Sequence, residues 1–201
     1  MKKIIKLGLT LGVYACISCC LLAVVNNFTS PVIEKNETEK EQNALKEVLK
    51  DAKDYIAADK TEVEKITESC KNEIGSAKIN KIFKAVDADN KIIGYAANIT
   101  GPTFENSTIL LGLNADMVVT GVNILKTTDT PGKQKMADYK TSKVTTGKTF
   151  TEQFIDKAPL SSFEAGIDYE TISGATLSSG GVSNMIKAGT IVIKAYAASN
   201  K

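Results

Sequence analysis

The segment TISGATLSSGG, residues 171–181, carries five hydroxyl side chains and three glycines, with Leu177 its only bulky residue after Ile172. Gly174 and Ala175 let a backbone approach a large group closely. Thr176 stands near the start of a helical stripe formed by Val182, Met185, Ile186, Gly189, Ile193 and Tyr196. A helix N-terminus offers unbonded N–H donors and the positive end of a dipole, which suits a phosphate. Ser173, Ser178 and Ser179 add hydroxyl donors. The competing reading is an ordinary N-cap region, where Ser and Thr are expected anyway, and spacing alone favours it.

Absences narrow the chemistry. The chain of 201 residues has no His, which excludes a Ser-His-Asp triad, imidazole zinc ligands and a His base. It has no Arg, so a phosphate must be held by Lys, hydroxyls, backbone N–H groups or a covalent bond. Of four cysteines, Cys16, Cys19 and Cys20 lie in one apolar run and Cys70 stands apart, so no disulfide scaffold is expected. The cysteine trio reads as small residues packing between helices, with a partner's metal centre as the alternative. No metal-ligating and no acid–base catalytic residue is expected.

The elements that must position this segment begin with a membrane anchor. From Ile4 to Val25 the run of 22 residues holds a single charge, Lys6, and such a length spans a bilayer core. A cleaved signal peptide has a shorter apolar part and a small-residue site, and Asn26, Asn27, Phe28 and Thr29 supply none. Cys16 after Val-Tyr-Ala hints at a lipoprotein signal, but Tyr14 is bulky there and the apolar run continues. Lys2, Lys3 and Lys6 precede the span and no acid occurs before Glu34, which keeps the N-terminus cytoplasmic and the rest outside. Setting those three lysines aside leaves 22 basic residues against 23 acids, a net of −1. Such a body gives no electrostatic case for nucleic acid.

Beyond the span, Ser30-Pro31 is a helix-start signal. Residues 34–54 read as a charged helix with Ala44, Leu45, Val48, Leu49, Ala52 and Ile56 on one face and its acids and lysines solvated. Two hairpins follow, 82–87 with 92–100 and 108–113 with 117–124, turning at 88–91 and 114–116. Residues 126–140 read as a loop entering a short helix, and 150–156 as a second short helix. Hairpins followed by helices give an α+β fold with an antiparallel sheet. The expected division is a cytoplasmic N-terminus 1–3, transmembrane helix 4–25, helical linker 26–75 and a domain at 76–201.

Glu170-Thr-Ile-Ser173-Gly174-Ala175-Thr176 resembles the flavinylation motif of FMN-binding domains, with Glu170 where an Asp is usual. Asp129-Thr130-Pro131-Gly132 resembles that family's Glu-Thr-Pro-Gly loop, and Lys133-Gln134 replaces the Leu-Gly that often follows. Gly94-Tyr95, the segment 150–154 and the Asn-x-x-Thr-x-Pro pattern ending at Pro31 extend the similarity over nearly the whole chain. The family includes the G subunit of Rnf electron-transport complexes and the C subunit of sodium-translocating NADH:quinone reductase. Length and lysine-rich composition fit the former better.

The resemblance implies covalent FMN, esterified to Thr176 by a flavin transferase that takes FMN from FAD. It implies cofactor contacts at Ser173, Gly174, Ala175, Leu177, Ser178, Asp129, Thr130, Pro131 and Gly132, with Glu170 serving attachment. It implies an electron-transfer subunit in the cytoplasmic membrane, passing electrons from ferredoxin towards NAD alongside the other membrane and peripheral subunits. Two alternatives stay open: the flavin subunit of a quinone-reducing or extracellular system, and a cofactor-free tethered interaction module. For the latter, Asn36, Asn98 and Asn106 begin Asn-x-Ser/Thr triplets.

Overall fold

A computed structural model describes residues 2–129, 147–157 and 164–200. It divides into two compact units, residues 1–40 and 41–201.

The first unit is the leading part of helix α1, Lys2–Val48. Its apolar side chains, among them Leu7, Leu11 and Leu21, are bare on every side, as expected of a helix whose solvent is lipid. It is the one helix among the described residues long and apolar enough to cross a membrane. The hydroxyls of Thr10, Ser18 and Thr29 donate to the carbonyls of Lys6, Tyr14 and Val25 one turn back. Polar groups on this helix are thereby satisfied without water. Pro31 lies inside α1 and does not start a new helix. Its ring forgoes one backbone bond, a local loss that the flanking turns outweigh.

The second unit is built on a five-stranded antiparallel meander, β1 Asp54–Ala57, β2 Lys78–Val86, β3 Ile92–Pro102, β4 Asn106–Asn114 and β5 Val119–Thr127, paired in chain order. Both expected hairpins are present with longer arms. Their turns are tied by short acceptors: Asp87 Oδ1 takes the N–H of Asp89 and Lys91, and Asn114 Oδ1 takes those of Asp116 and Val118. The first strand departs from the sequence reading. Ile56 sits on β1, paired with Lys84, and not on the helical face that 3.6-residue spacing gives it. Four residues are too few for periodicity to separate a strand from a helix end.

Helices cover both faces of the sheet. The last turns of α1 and the residue after them bury Ala44, Leu45, Val48 and Leu49 against Phe83, Ala85, Ala96 and Leu110. Glycines clear the way, since a Cβ on Gly112 or Gly121 would lie 2.9 Å from Val48 atoms. The opposite face packs against α2 (Lys60–Ser69) and α4 (Thr176–Ser199), with α3 (Lys71–Ile74) set against α4. All six residues of the α4 stripe are buried, with Val182, Met185, Ile186 and Ile193 meeting Ile99, Ile109 and Leu111 in one cluster. Each such side chain contributes roughly 1.5–3 kcal/mol of burial. Residues 150–156 form a single 3-10 turn, Glu152–Phe154, in place of a short helix.

One acid of α1 is not solvated. Glu41 is 6% exposed and accepts from Lys81 Nζ at 2.7 Å and Asn98 Nδ2 at 2.5 Å. Asn98, itself buried, also accepts from Asn80 at 2.9 Å, so it is closed to a glycan. Lys81 is half exposed and adds little. Removing the carboxylate strands the Asn98 donor, at a cost of about 1–3 kcal/mol. Glu41→Ala is therefore expected to lower the urea midpoint of the detergent-solubilised chain. An unchanged midpoint would show that the bond contributes nothing.

Candidate functional site

The segment 170–181 forms a turn that feeds the first turns of α4. Gly174 adopts φ +77 with open space around it, and the Ala175 N–H closes the turn onto Ile172 O at 2.9 Å. A positive φ is cheap only for residues like Gly. Ala175 occupies the N-cap position of α4 with no side-chain capping bond, and no acid stands in the first turn. The N-cap reading of Ser and Thr is therefore not realised. Ala175 itself offers no side-chain acceptor to the leading N–H groups of α4, and no first-turn carboxylate of the helix faces the positive end of its dipole.

Side chains elsewhere hold this turn from three directions. Gln153 grips the backbone of Glu170 at both ends of its amide, donating to Glu170 O at 3.0 Å and accepting from Glu170 N–H at 2.8 Å. Ser179 Oγ accepts from Ile172 N–H at 3.1 Å. Ser178 Oγ donates to Asp129 Oδ2 at 2.6 Å across 49 residues of chain. Beneath the lead-in, Tyr169 packs with Phe150 and Phe154 at ring separations of 6.1 and 5.5 Å. Between these holds, Ser173, Gly174, Thr176 and Leu177 are exposed, Leu177 by 70%.

Asp129 is 1% exposed, and its Oδ1 accepts from Thr103 Oγ1 at 2.6 Å and Glu105 N–H at 2.8 Å. Burial pushes its carboxyl up. The bonds from Ser178, from Thr103 and from the N–H groups of Glu105 and Phe104 outweigh burial and hold it below the usual carboxylate range. The same β3–β4 turn touches α4 directly, since a Cβ on Gly181 would lie 2.3 Å from Pro102 O.

Thr176, Ser173, Gly174, Ala175, Leu177 and Glu170 thus share one turn, with Ser178 and Asp129 bonded behind it. Thr130, Pro131 and Gly132 lie outside the described residues. Sequence reasoning missed Gln153 as a clasp, along with Thr103 and Glu105 as partners of Asp129. A groove of about 560 Å³ elsewhere in the unit includes Glu47, Asp51, Asp87 and Asp156 in its lining against one Lys50, an arrangement that repels a phosphate. No cluster suited to a metal ion occurs among the described residues.

Residues 1–48 match the family description "RnfG N-terminal region" and residues 105–190 match "FMN-binding domain". A protein of Acetobacterium woodii, named as the G subunit of a Na+-translocating ferredoxin:NAD+ oxidoreductase complex, is 31% identical over 91% of this chain and 88% of its own length. The chain belongs to the RnfG family. Proteins of Methanosarcina acetivorans and Erwinia tasmaniensis, each named as the G subunit of an ion-translocating oxidoreductase complex, are 28% and 26% identical, over 89% and 96% of the chain and 88% and 91% of their own lengths. With the apolar α1, membership locates this RnfG chain at a membrane, as one subunit of a larger complex. Its FMN-binding match contains the whole turn at the start of α4 and Asp129.

The depressed Asp129 carboxyl has a pH consequence. A group whose folded pKa lies below its unfolded value stabilises the fold above about pH 4, and loses that contribution as pH falls through the folded pKa. The thermal midpoint of the native chain is therefore expected to exceed that of Asp129→Asn by a constant margin above about pH 5. The margin should shrink below about pH 4. A margin that does not narrow on acidification would contradict the assignment.

Proposed function

We propose that this RnfG chain is the membrane-anchored electron-carrier subunit of an ion-translocating ferredoxin:NAD oxidoreductase complex, holding FMN by an ester to Thr176. The observation that carries the reading is the exposed Thr176 hydroxyl on an uncapped helix start, inside the FMN-binding match. The donor set fits the group. The first-turn N–H groups and the exposed Ser173 hydroxyl supply neutral donors, and no first-turn carboxylate opposes a phosphoryl charge. A chain without Arg lacks the usual bidentate phosphate clamp, which favours a covalent hold over a reversible one.

FMN, when bound, supplies the one- and two-electron chemistry of the subunit. The protein's part is to tether and orient. Attachment by a flavin transferase forms the bond from Thr176 Oγ to the flavin-side phosphorus of FAD. The pyrophosphate linkage breaks, AMP leaves, and the hydroxyl proton passes to solvent. Gln153 keeps Glu170 in register one short turn before the acceptor, which supports a role for Glu170 in presenting that turn. The lysines before the span support a cytoplasmic N-terminus with the FMN domain on the far side. The name of the Acetobacterium woodii relative supports ferredoxin as donor and NAD as acceptor, and the names of all three relatives support other complex subunits as partners.

Two measurements test the reading. Intact mass of the native chain is expected to show one added FMN, mapped to the peptide with Thr176, and Thr176→Ala should carry none. A fluorescent flavin band retained by Thr176→Ala on a denaturing gel sinks the assignment. For orientation, Ile56→Cys puts a thiol at a half-exposed position while the native Cys70 is buried. A membrane-impermeant maleimide should label it from the outside of intact cells, and labelling only after lysis would reverse the orientation.

A further inference from the structure

Asp129 stands in a loop whose resemblance implies contact with the flavin, yet its carboxylate is sealed inside the protein. We propose that Asp129 is a positioning residue for the attachment turn and not a cofactor contact: it ties Ser178 to the β3–β4 turn and so fixes where Thr176 is displayed. This rests on the preceding reading that Thr176 is the attachment residue.

Three features support the assignment. First, both carboxylate oxygens are engaged by protein donors: Thr103 Oγ1 and Glu105 N–H on one, Ser178 Oγ on the other, at 2.6 to 2.8 Å. At 1% exposure, little of the group faces anything else. A charged carboxylate turned toward a phosphodiester would also repel it, whereas here its charge is spent on buried donors. Second, the helix geometry couples Ser178 to Thr176. Residues two apart on an α-helix point about 200° apart. Holding Ser178 inward therefore turns Thr176 outward, and their exposures follow that rule, Ser178 buried and Thr176 exposed. Third, the hold has a second point of contact on the same turn. Gly181 brings α4 against Pro102 and Thr103, so the bond from Asp129 and the bare glycine together fix the first turns of α4 on the β3–β4 turn.

The consequence falls on the rate of attachment. Transfer to a hydroxyl requires the oxygen in line with the phosphorus, and a misplacement near 1 Å costs up to about 100-fold. Asp129→Ala frees Ser178 and lets the first turn of α4 shift. Asp129→Asn keeps the tie, because its amide oxygen accepts from Thr103 and Glu105 while its NH2 donates to the Ser178 oxygen.

The test uses full-length chain in detergent with purified transferase and FAD, following flavin incorporation with time and then the midpoint potential of the loaded protein. Asp129→Ala and Ser178→Ala are expected to load roughly 10–100-fold more slowly than the native chain. Asp129→Asn should load within about threefold of native, and every loaded variant should keep the native absorption spectrum and potential. Glu41→Ala, destabilised at a distance from the turn, should load at the native rate, which separates positioning from mere loss of stability. If Asp129→Ala fails to fold, Ser178→Ala carries the comparison, since it leaves Asp129 its bonds to Thr103 and Glu105. Native loading rates in both Ala variants overturn the proposal, and so does a shifted spectrum or potential in a loaded variant, which would make Asp129 a flavin contact. A native chain that takes up no flavin at Thr176 instead overturns the attachment reading on which this one rests.

Discussion

The domain turns on a carboxylate that is charged, buried and fully engaged. Asp129 gathers three segments remote in sequence, the turn after β3, the exit of β5 and the start of α4. An isolated carboxylate in such a place would be several kcal/mol unfavourable, and its hydrogen bonds reverse that penalty. Removing any one partner leaves the others facing an incompletely satisfied charge. The junction therefore couples sheet, loop and helix through one group.

The sheet explains why such a junction is available. Because the last turns of α1 cover one face and α2 and α4 the other, most of β3 and β4 is buried on both sides. Only the strand ends and turns remain to carry a site, and the β3–β4 turn is the end that meets α4. The same layering accounts for the buried Glu41: the last turns of α1 belong to the folded domain, so their polar groups must find partners within it.

Much of this could be read from the chain itself. Both hairpins were legible because Asx-type turn residues interrupt alternating apolar runs, and α4 because its stripe holds over four turns. On spacing alone the small-residue turn read as an ordinary N-cap region, and only its resemblance to a flavinylation motif singled it out as a candidate site. What escaped depended on tertiary partners. A four-residue β1 pairs only because β2 lies beside it. Gln153 and Glu41 look like surface residues until the fold brings Glu170 and Asn98 to them. Pro31 reads locally as a start signal, yet a long helix runs through it. Nothing in spacing could foretell that an Asp beside a Thr-Pro-Gly turns inward.

Two glycines of the one motif answer to different constraints. Gly174 has room for a side chain but sits at φ +77, so what it resists is the L configuration; an inverted alanine would settle there without strain. Gly181 is the reverse case, helical in backbone and hard against a carbonyl, and no ordinary side chain fits. The first is a limit on chirality and the second on volume, and the two bracket the short exposed stretch of Thr176 and Leu177.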